Sequence, residues 1–235
     1  MSWRWLVWSG GIALLAFVLM MPLRVALSGS DLAQVGLSAR QVAGSIWSGR
    51  IGDLMLGRQL LGTFDARVSP GDLLLGRVAM PFERLGSPDG PLTGVLRAGG
   101  NLHGVEQLTG TLAVGPVFGS APVQSLDLSQ VTILFADGRC RRAEGRIAAN
   151  LAISLGPVPL DRGFTGTLAC EGQRVRARLA SPGGGERIEF FLDHQGRVRG
   201  WITIRSPFPG LDTLLAGYGF TAGPDGLSLP FETRL

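Results

Sequence analysis

Turn signals break this chain about every 8 to 12 residues, and between them apolar and polar residues alternate. Ser69-Pro70-Gly71-Asp72, Ser87-Pro88-Asp89-Gly90, Asp137-Gly138, Ser181-Pro182-Gly183-Gly184-Gly185 and Gln195-Gly196 are the clearest breaks. A period of two puts successive side chains on opposite faces of a strand. Parallel neighbours need crossovers of a dozen or more residues, whereas antiparallel ones are joined by tight turns. The spacing therefore predicts an all-β, antiparallel fold with roughly a dozen strands. Gln59 to Val68, Arg77 to Leu85, Leu92 to Ala98, Asn101 to Gln107, Leu108 to Val114 and Arg142 to Leu155 read as strands. So do Phe164 to Glu171, Arg174 to Ala180, Glu186 to Asp193, Arg197 to Ile204 and Gly226 to Leu235. Pro81 suggests an edge or a bulge for its strand. Leu126 to Gln130 reads as a helical turn and Leu211 to Ala216 as a short helix.

The β-rich part opens at Gly44-Ser45-Ile46-Trp47-Ser48-Gly49-Arg50-Ile51-Gly52. Its glycines mark places where the backbone turns or approaches a neighbour, and Trp47 reads as a buried anchor for the first ribbon. Gly44, Trp47 and Gly49 form a structural motif rather than a reactive site. Leu54 to Leu56, Val131 to Phe135 and Phe190 to Leu192 are apolar on both faces. Such strands are covered on both sides or line an apolar groove.

Before the β-rich part lies Leu6 to Leu23, 18 residues without a charge, flanked by Arg4 and Arg24. At ~1.5 Å per residue a helix of this length spans ~27 Å, enough for a bilayer core. Trp3, Trp5 and Trp8 suit the headgroup level, and Pro22 closes the run. The segment reads as an uncleaved membrane anchor. The competing reading, a cleaved signal peptide, has a shorter apolar region as its norm. The expected organisation is an anchor over 1–25, a linker over 26–41 and a β-rich domain over 42–235.

The residues that carry chemistry are few. All 22 basic residues are Arg, so no phosphate-loop lysine, Schiff-base lysine or Ser-Lys dyad is available. The net charge of +4 is too diffuse for nucleic acid. His103 and His194 have no Ser, Asp or Cys at a motif spacing, and no Gly-x-Ser-x-Gly elbow occurs. Gly217-x-Gly219-x-x-Ala222 follows a predicted helix rather than a strand, so it does not read as a dinucleotide fingerprint. No catalytic, cofactor-binding or metal-binding set emerges. Arg174, Arg176 and Arg178 share one strand face, and Arg197 and Arg199 repeat the period. This stripe reads either as a solvated face neutralised by Glu186 and Glu189, or as a docking face for an acidic partner or lipid headgroups.

Cys140 opens one predicted strand and Cys170 closes the next. If those strands pair, the cysteines meet at the open end of the hairpin. A bridge there would close a loop of ~30 residues; two free thiols is the other reading. A bridge requires an oxidising compartment, which for a bacterial-type anchor means the periplasm.

The N-terminal apolar segment, the Gly44-Ser45-Ile46-Trp47-Ser48-Gly49-Arg50 motif, Arg67-Val68-Ser69-Pro70 followed by Leu73-Leu74-Leu75-Gly76, and two late cysteines together resemble the type II secretion system protein N family. Ile46 stands where that motif has leucine. The resemblance covers nearly the whole chain. It implies a non-enzymatic accessory subunit held in the inner membrane, with a periplasmic domain that contacts other secretion subunits. It also implies a twisted, U-shaped or half-barrel sheet similar to AsmA-like and lipopolysaccharide-transport proteins. That similarity carries an alternative function, a periplasmic lipid-binding or lipid-transfer groove, with phospholipid as the partner.

Overall fold

The computed structural model describes residues 22–24, 37–56, 59–87, 89–114, 123–151, 154–155, 158–159, 163–205, 211–217 and 219–234. The first half of the chain forms β1 (Leu37–Ser45), β2 (Ser48–Leu56), β3 (Gln59–Ala66), α1 (Pro70–Leu74), β4 (Val78–Leu85), β5 (Leu92–Gly99), β6 (Leu102–Ala113), β7 (Val123–Ala136) and β8 (Arg139–Leu151). The second half adds the two-residue strands β9 (Ser154–Leu155) and β10 (Val158–Pro159), then β11 (Phe164–Glu171), β12 (Arg174–Ala180), β13 (Glu186–Leu192), β14 (Arg197–Ile204), α2 (Leu211–Ala216), β15 (Thr221–Gly223) and β16 (Gly226–Arg234). Fourteen strands form one antiparallel sheet in the order β1 to β8, β11 to β14, β16, β15. β9 and β10 pair separately. The sheet is open, with β1 and β15 as its edges.

Tight turns and a period of two dictate this meander, as the spacing predicts. Three local expectations change. Leu126 to Gln130 is strand within β7, not a helical turn. Asn101 to Gln107 and Leu108 to Val114 are one bulged strand, β6, whose pairing shifts between Val105 and Gly110. Pro81 lies in β4, an interior strand, where its carbonyl accepts from the Arg67 N–H just past the end of β3. Its missing N–H faces that same side, one residue past the last β3–β4 pair, Ala66↔Phe82, so no bond within the paired stretch is lost.

The expected linker is partly strand, since β1 begins at Leu37. Among the described residues no helix is long and apolar enough to cross a membrane. The expected anchor over 1–25 lies outside the described residues except for Pro22, Leu23 and Arg24.

One face of the C-terminal strands is core. Val175, Ala177 and Leu179 on β12, Ile188 and Phe190 on β13, and Val198, Ile202 and Ile204 on β14 are buried at alternate positions. They join buried side chains of β7, β8, β11 and β16, with Leu215 of α2 and Phe220, in a single cluster. A second, smaller cluster holds Leu23, Ile46 and Ile51, with Val42, Trp47, Leu54 and Val68 against it.

A row of bulges crosses the middle of the sheet. Pairing shifts occur between Thr93 and Val95 on β5, between Val105 and Gly110 on β6, and between Ser129 and Thr132 on β7. Gln107 and Gln130 take positive φ there, at 54° and 51°. Each bulge adds a residue that the neighbour lacks, so the strands bend together along this line.

Candidate functional site

The motif at 44–50 is a hairpin. Ser45 pairs with Ser48, and Ile46-Trp47 form the turn between β1 and β2. Gly44 sits at φ 85°, where a Cβ would also run into the Ser48 carbonyl oxygen. Gly49 leaves the space that the Leu23 side chain fills, since a Cβ there would collide with Leu23 Cδ2. Pro22 makes an isolated bridge to Ser45, and Leu23 is only 2% exposed. Ile46 is only 6% exposed, while Trp47, expected as a buried anchor, is half-buried against the same cluster. The motif therefore forms a socket for the residues that end the N-terminal apolar run. Nothing in the sequence pairs Leu23 with Gly49; only the fold brings them together.

The arginines of the outer face divide into two groups. Of the stripe, Arg176, Arg178 and Arg199, away from the strand ends, are paired, whereas Arg146 on β8 and Arg187 on β13 form no ion pair among the described residues. Arg176 bonds Glu189 and, at 2.6 Å, Glu171; Arg178 reaches Glu189 at 3.2 Å, and Arg199 reaches Glu232 at 2.9 Å. Burial works against the charge of Arg176, but its hydrogen bonds to Glu189 and Glu171 outweigh this and raise its pKa. Its guanidinium also lies 5.7 Å from the Phe191 ring centroid, and Phe191 tilts against the part-exposed Trp201. Glu186, expected to neutralise the stripe, bonds Ser181 instead. Arg174 and Arg197 lie at the strand ends with no ion pair among the described residues, and Arg197 stands directly opposite Arg234. Like charges facing across two strands are unfavourable.

Cys140 and Cys170 are joined, with their Cα atoms 5.6 Å apart. β8 and β11 pair only from Phe164↔Ala149 to Thr167↔Arg146. Beyond that, Leu168 and Ala169 face the longer stretch Arg141 to Gly145, so the ladder cannot continue in register. The disulfide closes this seam, helped by the Cys140 N–H donating to the Gln173 carbonyl.

An open hollow of about 450 Å³ lies along the bulge line, lined by Glu106, Gln107, Thr109, Gln130, Thr132, Arg142 and Glu144. Its polar groups largely satisfy one another. Glu106 holds Arg97, Glu144 holds Arg142, the Gln107 N–H donates to Thr132 Oγ1, and the Gln130 N–H donates to Thr109 Oγ1. No nucleophile and base meet in it. His103 stacks on Phe135 across the strand pair, and His194 lies in the β13/β14 turn over Gly138. Gly219 and Ala222 lead from α2 into the short edge strand β15, not from a strand into a helix. Among the described residues no three of His, Cys, Asp and Glu are placed to hold a metal ion.

The three stretches expected to be apolar on both faces differ in burial. In β7, Val131, Thr132, Leu134 and Phe135 are all buried, so that strand is covered on both sides. Phe190 is buried, while Phe191, Leu192, Leu54 and Met55 are part-exposed.

The family model for type II secretion system (T2SS), protein N, matches residues 35–229. The chain belongs to that family. The match begins just before β1 and ends within β16, so it takes in all of the sheet but the end of β16, with the hairpin at 44–50 and the disulfide. Membership in this family makes the chain a type II secretion component. Neither a curated protein nor a solved structure matches it.

Proposed function

We propose that this member of the protein N family is a non-enzymatic accessory subunit, anchored in the inner membrane by its N-terminal apolar run. Its sheet then lies in the periplasm and contacts other secretion subunits. The family match over residues 35–229 carries the reading. The uncharged run ending at Leu23 supports the anchor, and the Cys140–Cys170 bridge is consistent with an oxidising compartment. On the outer face most in-strand arginines are matched by carboxylates, which leaves the part-exposed Trp201 and Phe191 and the unpaired strand-end arginines for contact.

The lipid-groove alternative has weaker support. Val131 to Phe135, one of the stretches that raised it, is used as core on both faces, and Phe135, Phe164, Phe190 and Phe231 fill the inner cluster. The test is a deletion strain complemented with the full chain. The proposal predicts loss of secreted folded protein on deletion, and photo-crosslinks from position 201 to other secretion subunits. Normal secretion in the deletion strain, with stoichiometric phospholipid on the purified chain, would favour the alternative.

A further inference from the structure

We infer that the sheet rests on the bilayer with one particular end, and that this end binds the headgroups of anionic phospholipids. The inference rests on the anchor reading above. The antiparallel meander places the Ile46-Trp47 turn, the 67–77 connection and the turns at 100–101, 137–138, 172–173 and 193–196 all at one end of the sheet. Contacts along this end confirm the alignment: Val68 N–H donates to the Ile46 carbonyl, Asn101 bonds Asp137, Gly138 lies under His194, and Cys140 N–H donates to Gln173.

Two independent features meet at this end. The first is where the chain arrives. Leu23 docks on Gly49, Ile46 and Ile51 beside the first turn, and the uncharged run precedes it with no spacer. The expected linker at 26–41 comes after that contact, so it cannot hold the sheet away from the membrane. A run that spans the bilayer must therefore surface against this end, with the half-buried Trp47 at headgroup depth.

The second feature is charge. Arg67, Arg77, Arg139, Arg174, Arg197 and Arg234 are exposed there and form no ion pair among the described residues; Arg24, next to Leu23, is exposed as well. Of the acidic groups nearby, two pair with arginines, and two accept only from neutral donors and keep their charge, which the unpaired arginines outnumber. Asp72 pairs with Arg97 and Glu171 with Arg176; Asp137 accepts from Asn101, and Asp193 accepts from the backbone N–H groups of Gln195 and Arg197. The opposite end has no such excess among the described residues: Asp53, Asp89, Glu186 and Asp225 stand against Arg40, Arg84, Arg187 and Arg205. Unpaired arginines next to a membrane exit fit an anionic surface, whose attraction fades within a Debye length.

The test uses the full chain in proteoliposomes of phosphatidylcholine alone or mixed with phosphatidylglycerol. Amide exchange is followed in the turns at 137–138, 172–173 and 193–196. The proposal expects exchange several-fold slower with phosphatidylglycerol, restored by high salt and in the combined variant Arg139→Gln, Arg174→Gln, Arg197→Gln, Arg234→Gln. These substitutions remove no ion pair, so exchange in β13 should stay unchanged and report an intact fold. Equal exchange in the two lipids overturns the proposal, as does protection that appears only when other secretion subunits are added; the latter would assign the end to an acidic protein. Alkaline carbonate extraction tests the anchor separately. A chain that resists carbonate yet exchanges equally keeps the anchor and loses the docking end. A chain that is stripped by carbonate but still protected by phosphatidylglycerol loses the anchor and keeps the docking end.

Discussion

Arg84 shows how a single charge can be structural. It is 2% exposed, and its guanidinium donates to the Gly90 carbonyl at 3.0 and 2.8 Å and to the Thr111 carbonyl at 2.7 Å. Burial lowers its pKa, yet an arginine starts so far above neutrality that it stays charged. The side chain thus ties the β4/β5 turn to β6. Arg84→Ala would leave two carbonyls without this donor and should cost about 3 kcal/mol in denaturant unfolding. Arg84→Lys should recover little, because an ammonium lacks the planar fork that reaches both carbonyls. Asp65 gives a milder, pH-dependent case. The hydrogen bond from Arg50, at 2.8 Å, holds its carboxyl below the ordinary aspartate range. A depressed carboxyl contributes stability that is present above its unfolded pKa of ~4 and lost as pH falls through the folded value. Asp65→Asn should therefore lower stability slightly at neutral pH and flatten the acid limb below about pH 4, so that the two profiles converge in acid. The pair is exposed, so an acid limb identical in wild type and variant would mean that it contributes nothing.

At the scale of elements, the socket hairpin and the disulfide seam make separate predictions. Ile46→Ala should cost about 2–4 kcal/mol, and Trp47→Ala less, about 1–2, because Trp47 is only half-buried. Equal losses in melting experiments would show that the aromatic is the anchor after all. Gly49→Ala should displace Leu23 at a cost of about 1–3 kcal/mol. Removing the bridge that closes a separation of 30 residues should cost about 3–4 kcal/mol, with exchange rising first along β8 and β11. Strand positions were legible because alternation and turn residues are local signals. The bulges were not, because a non-glycine residue at positive φ leaves no mark in a pattern. Gln107 therefore split β6 into two expected strands, and the break at Gln130 made Leu126 to Gln130 look helical. The Arg stripe was legible as a face but not as paired and unpaired halves. Arg176 and Arg197 have the same period, and only the register supplies Glu189 to one and Arg234 opposite the other.

For the whole molecule, the antiparallel meander explains why the described residues bring so little reactive chemistry together. Neighbours in sequence are neighbours in space, so polar groups meet mainly across adjacent strands and pair there. What long-range order remains is the difference between the sheet's two ends. One end receives the N-terminal run and carries unpaired arginines, and the disulfide closes the seam beside it. Whether the sheet is held on the oxidising side of the inner membrane is decided by thiol labelling in spheroplasts with an impermeant maleimide. Cys140 and Cys170 should take no label at first, then both should be labelled after denaturation and an impermeant reductant, with the inner membrane still sealed. Labelling without reductant, or labelling that requires the inner membrane to be opened, would contradict this placement.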